Sequence, residues 1–103
     1  MFQLTQLRCF VAVATELHFG RAAASLNMTQ PPLTRQIQLL EHEVGVLLLE
    51  RAGGSVRLTP AGEVFLREAE DILRRSQAAT LAARRAKRPD AGSLSTGFIS
   101  PAT

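Results

Sequence analysis

The chain has 103 residues, 46% of them apolar, enough for one small core and hardly for two domains. Its single cysteine, Cys9, excludes an internal disulfide framework, and neither an apolar run of about 18 residues nor a basic-then-apolar leader is present, so a cytosolic protein is expected. Net charge is only +3. Residues 1–62 hold five Arg against four Glu, while Arg84, Arg85, Lys87 and Arg88 alone contribute +4, so bulk charge argues for no particular partner and individual arginines must carry any such case.

Leu4, Leu7, Phe10, Val11 and Ala14 form a helical stripe that predicts a helix from about residue 3 to 16. Cys9 lies inside it and reads as a packing residue. A break at Leu17-His18-Phe19-Gly20 precedes a short alanine-rich segment, Arg21 to Leu26, whose small residues favour helix and close approach of neighbours. Phe19 beside the break reads as a core plug.

A tight turn at Asn27-Met28 leads into the next helix, for which Thr29 is the expected N-cap and Pro31 a first-turn residue with no amide to lose. Leu33, Ile37, Leu40 and Val44 recur at offsets of four, three and four and line one face. Pro31, Thr34, Arg35, Gln38 and His42 then fall on or near the other. That outer face holds a guanidinium, a carboxamide and a hydroxyl with no carboxylate among them. Arg pairs with guanine, amides pair with adenine, and Thr or a flat apolar group meets a thymine methyl. Two helices joined by a short turn, the second with an outward polar face, describe a helix-turn-helix. Gly45 is the expected C-cap.

After Gly45 the period changes. Val46 to Arg51 and Ser55 to Thr59 read as two short strands joined by Ala52-Gly53-Gly54, a hairpin that would form a wing. No Gly-Lys-Ser/Thr follows the two glycines, so a phosphate-binding loop is a weak alternative. Arg51 and Arg57 stand where they could reach phosphates or a narrow minor groove.

Thr59 as N-cap, Pro60 as first residue and Glu63 near the positive end predict a long helix reaching about Lys87. Phe65, Ala69, Ile72, Ser76, Ala79, Ala83 and Ala86 alternate offsets of four and three, a coiled-coil spacing that, with Leu73 beside it, predicts a dimerisation seam. Roughly 28 residues make a rod of about 42 Å, long for so small a core, which favours a second chain over a solvated linker. The Arg84–Arg88 cluster suits a helix C-terminus. Pro89 to Ser93 reads as a hinge, and Leu94 to Thr103 as the opening of something further. The architecture expected is mainly α: a winged helix-turn-helix over 1–59, with three helices and a two-stranded hairpin, a linker helix over 60–88, and a hinge over 89–103.

Phe10-Val11-Ala12-Val13-Ala14, Phe19-Gly20-Arg21-Ala22-Ala23-Ala24-Ser25-Leu26 and Thr29 through Ile37 resemble the N-terminal signature of LysR-type transcriptional regulators. So do Leu40-Glu41, Gly45-Val46, Leu49-Glu50-Arg51 and Leu58 through Gly62. Gly92 to Phe98 resembles the first strand of the family's effector domain, and Pro31-Pro32 is similar to the variant in members controlling aromatic-compound catabolism. Gly20 departs from the family, which commonly has Ser or Thr capping the second helix, but glycine still caps acceptably. The resemblance implies that Gln30, Pro31, Pro32, Thr34 and Arg35 meet the major groove. It implies that Thr29, Gln36 and Gln38 hold phosphates or nearby base edges, and that Arg51, Gly53, Gly54, Ser55 and Arg57 serve the wing. A double-stranded DNA operator with an inverted repeat, a homodimer, dimers paired in the full-length protein and an effector sensed by a domain beyond this chain are implied likewise. No cofactor or metal and no membrane partner is implied.

Three other readings stand beside this one. An enzyme would have to use His18, His42, Cys9 and scattered carboxylates, with no HExxH, no paired Cys and no nucleophile motif. A pure interaction module built on the long helix, or an RNA-binding winged helix, would share the pattern and differ in what it binds.

Overall fold

The computed structural model describes residues 1–52 and 55–87. Its elements run α1 (Leu4–Glu16), α2 (Phe19–Ser25), α3 (Gln30–Val44), β1 (Leu49–Ala52), β2 (Ser55–Leu58) and α4 (Pro60–Arg85). The glycine tip of the hairpin at 53–54, the expected hinge and the strand-like end beyond it lie outside the described residues.

α1 buries Leu7, Phe10, Val13 and Ala14 together with Cys9, whereas Leu4 is 41% exposed and Val11 half-buried, so the stripe is rotated from the one read by spacing. The helix ends on Leu17, a non-glycine residue at φ 53°, whose N–H reaches the Val13 carbonyl at 2.7 Å. The turn between α2 and α3 closes on Asn27 at φ 56°, a left-handed position that asparagine tolerates better than most residues. There the Met28 N–H donates to the Ala23 carbonyl at 2.8 Å. Leu33, Ile37 and Leu40 of α3 pack inward, as their spacing predicts. Gly45, at φ 88°, caps the helix and donates to the Glu41 carbonyl at 2.8 Å.

The hairpin is antiparallel, with Leu49 opposite Leu58, Glu50 opposite Arg57, Arg51 opposite Val56 and Ala52 opposite Ser55. Leu49, Arg51, Val56 and Leu58 therefore share the inner face, because side chains alternate along a strand. Leu48 is buried ahead of the strand, while Val46 and Leu47 are exposed, so the strand is shorter than its apolar run.

One compact unit spans Met1–Leu73 and a second begins at Arg74. The first therefore takes in the opening turns of α4. Thr59 caps that helix, its hydroxyl accepting from Gly62 N–H at 2.9 Å and donating to the Leu47 carbonyl at 2.7 Å. Gly62 is buried against the Leu48 carbonyl, where any β-carbon would collide. The ring of Phe65 meets Phe2 and Phe10 edge-on, at 5.7 and 5.5 Å between centroids. Ala69 is fully buried. This corrects the seam for Ala69, which belongs to its own chain's core and has no surface left for a partner. Phe65, Ile72, Leu73 and Ser76 are half-buried, and Ala79 and Ala83 are exposed.

Candidate nucleic-acid interface

The outer face of α3 carries the side chains that the sequence placed there. Thr29, Gln30, Pro31, Pro32, Arg35 and Gln38 are exposed, and Thr34 and Gln36 half-buried. None of them enters the core, because the 3.6-residue period has already committed Leu33, Ile37 and Leu40 to it. Among the described residues Arg35 has no carboxylate within salt-bridge distance. Its guanidinium is left with all its donors for an outside partner.

Two expected caps differ. Thr29 takes the N-cap position but makes no side-chain capping bond. A capping hydroxyl accepts from the second or third helical amide, and here those residues are Pro31 and Pro32, which have no N–H. Gly20 does not cap α2 either. His18 does, in extended backbone, its Nδ1 accepting from the Arg21 N–H at 3.0 Å. Sequence reasoning passed over it because imidazole is an uncommon cap.

The wing splits its two arginines between opposite faces. Arg57, on the outer face, lies 3.4 Å from its cross-strand neighbour Glu50. Arg51, on the inner face, sets its guanidinium 4.2 Å from the centre of the Phe19 ring. Phe19 is thus the core plug expected of it and also the seat of a wing arginine. Ser55 is exposed; Gly53 and Gly54 are outside the described residues.

Glu41 ties the helix to the wing. One of its carboxylate oxygens accepts from Leu48 N–H at 2.8 Å and Leu49 N–H at 3.1 Å, while Thr59 N–H donates to the Leu48 carbonyl at 3.0 Å. β1 is consequently held in fixed relation to α3. A cleft of about 280 Å³ separates them, bordered by Thr34 and Gln38 from the helix and Arg51 from the wing. A second cleft of about 410 Å³ lies by the first turns of α2 and α3, lined by His18, Gly20, Gln30, Arg51 and Ser55 among others. Expected helix and wing residues therefore border the same hollows. No cluster of metal-binding side chains occurs among the described residues, and none of their helices is long and apolar enough to cross a membrane.

A tri-helical core, a second helix presented with its polar face outward and a two-stranded hairpin behind it define a winged helix-turn-helix protein. The chain belongs to the lysR family of bacterial regulatory helix-turn-helix proteins, whose family model matches residues 4–63. That family is one of transcriptional regulators, not of enzymes. The chain is 52% identical over 100 residues to the uncharacterized HTH-type transcriptional regulator YnfL of Escherichia coli (strain K12), covering 97% of this chain and 34% of that protein. It is 50% identical over 101 residues to AlsR of Bacillus subtilis (strain 168), covering 98% and 33%. The chain thus spans about a third of the length of the curated relatives it matches. Among solved structures it is similar to a CbnR DBD–DNA complex, with TM-score 0.82 and 41% identity over 84% of this chain and 100% of that one. It is similar also to a BenM DBD complex with benA site 1 DNA, with TM-score 0.78 and 43% identity over 82% and 94%.

Proposed function

We propose that this chain is the DNA-binding module of a LysR-type regulator and reads an inverted-repeat operator as a dimer. The observation that carries the reading is the outward, unpaired Arg35 on a helix whose opposite face is locked into the core by Leu33, Ile37 and Leu40. α3 enters the major groove from its N-terminal end. Gln30, Pro31, Pro32, Thr34 and Arg35 meet base edges, and Thr29, Gln36 and Gln38 meet phosphates or neighbouring bases. Arg51, Gly53, Gly54, Ser55 and Arg57 serve the backbone and the adjacent minor groove.

A second copy is assigned to the seam along α4, where Phe65, Ile72, Leu73 and Ser76 are half-buried and Ala79 and Ala83 are exposed. Two such copies would set their recognition helices about 34 Å apart, one turn of DNA. Effector sensing and the pairing of dimers belong to the further domain that the family resemblance implies. The solved complexes of similar domains with DNA, rather than RNA, favour the duplex reading over the RNA-binding alternative.

The test is selection from a randomised duplex pool. Enrichment of an inverted repeat with half-sites about one helical turn apart is expected, with loss of binding as salt rises. A pool that stays random, or single-stranded RNA that competes as well as the selected duplex, would remove the proposal.

A further inference from the structure

The cleft beside the first turns of α2 and α3 holds a donor that neither the motif nor the recognition helix supplies. His18 caps α2 through Nδ1, which accepts the Arg21 N–H at 3.0 Å and so carries no proton. In a neutral imidazole the proton then resides on Nε2, which becomes a donor. Among the described residues Nε2 has no partner, and the ring is exposed. Two further donors line the same cleft: the carboxamide of Gln30 and the guanidinium of Arg51, neither of them engaged with a carboxylate. Among the described residues no Asp or Glu side chain borders it. Gly20 keeps the donors close together. A β-carbon there would stand 2.9 Å from the His18 ring and 3.4 Å from the Gln30 amide nitrogen.

We propose that this cleft seats one phosphodiester of the DNA backbone and that His18 donates to it through Nε2–H while capping α2 through Nδ1. The inference rests on the DNA-binding reading above and adds to it a residue that the family signature does not supply. Neutral donors beside an arginine, with no carboxylate lining the cleft among the described residues, suit an anionic oxygen, and the arginine supplies the charge. A neutral imidazole contributes a hydrogen bond but displaces no counterion. Its removal therefore shifts the whole affinity-versus-salt line without tilting it, whereas loss of Arg51 tilts it.

Two substitutions separate the cap from the donor. Ser and Asp are both good N-caps, so His18→Ser and His18→Asp are expected to hold α2 and keep Tm near that of the full wild-type chain. Binding is measured over a salt series to a selected inverted-repeat duplex and to a mixed-sequence duplex. His18→Ser is expected to bind both about tenfold more weakly with an unchanged salt slope, since a phosphate carries no sequence. His18→Asp should be weaker again, because it brings a carboxylate toward the phosphate. Wild-type affinity in both variants overturns the proposal, and so does a loss of affinity that only tracks a fall in Tm. Arg51→Ala is the control for the underlying reading: if it lowers the slope by about one while both His18 variants bind normally, His18 alone is removed. If its slope is unchanged as well, the wing reading fails with it.

Discussion

The guanidinium of Arg51 lies 4.2 Å above the ring centre of Phe19, so the wing rests on the first turn of the helix-turn-helix. Phe19 is 8% exposed and belongs to the core, which makes the platform rigid. Replacing it with leucine keeps an apolar plug and removes the ring face. Phe19→Leu is expected to weaken duplex binding about two- to fivefold, the equivalent of about 0.5–1 kcal/mol for a cation–π contact, with the salt slope unchanged because Arg51 keeps its charge. Fluorescence anisotropy at several salt concentrations checks this; a lowered slope would mean that Arg51 had left the interface altogether.

On the proposed reading, Arg35 bears on sequence rather than on charge. Arg35→Ala should cost about 1–3 kcal/mol of specific binding and broaden base preference at one position of each half-site. Gel-shift titrations against the selected duplex and its single-base variants measure both effects. Equal affinity of mutant and wild type would strike Arg35 from the interface.

Glu41 is a brace between helix and wing. Glu41→Ala strands two backbone amides that its carboxylate now satisfies, and a stability loss of about 1–3 kcal/mol is expected by urea denaturation. Glu41→Gln retains an acceptor oxygen and should recover part of that loss. A Glu41→Ala variant as stable as the parent would show that water replaces the carboxylate without penalty.

The helix start at Pro60 depends on a missing side chain. Gly62→Ala drives a methyl group against the Leu48 carbonyl, between residues already tied by Thr59 and Glu41. Overpacking of this kind costs about 1–3 kcal/mol. A midpoint of thermal unfolding equal to the parent's would mean that residues 47–49 yield easily.

Cys9 is 2% exposed. Burial pushes its thiol upward, and the nearby Arg8 only partly opposes this. Because the thiolate is the reactive form, native protein at neutral pH should resist a disulfide reagent and react only when unfolded. A rapid stoichiometric reaction without denaturant would contradict the packing role.

What could be read in advance was whatever periodicity governs. Leu33, Ile37 and Leu40 follow a repeat, and the polar face of α3 is their geometric complement. The hairpin was visible because, after Gly45, a short apolar run and a second strand-like piece flank turn-competent glycines. The less legible part depends on partners distant in sequence or unusual in type. His18 caps through an imidazole, and Thr29 cannot cap because the amides it needs belong to prolines. Arg51 and Arg57 look alike in the sequence, yet strand parity sends one onto Phe19 and the other toward Glu50. Ala69 kept the seam's spacing and was taken by the chain's own core, since a heptad does not say which neighbour it meets.

Pro31 and Pro32 have a consequence beyond the lost cap. Their rings freeze two backbone torsions at the leading edge of α3, the place where helices ordinarily fray. The unfolded chain has correspondingly fewer shapes to explore there, and the folded one has little loosening to undo on docking. On the proposed reading of α3 as the contact surface, an edge that arrives already stiff sheds less disorder on association, and discrimination among DNA sequences would then depend on fit rather than on adaptation.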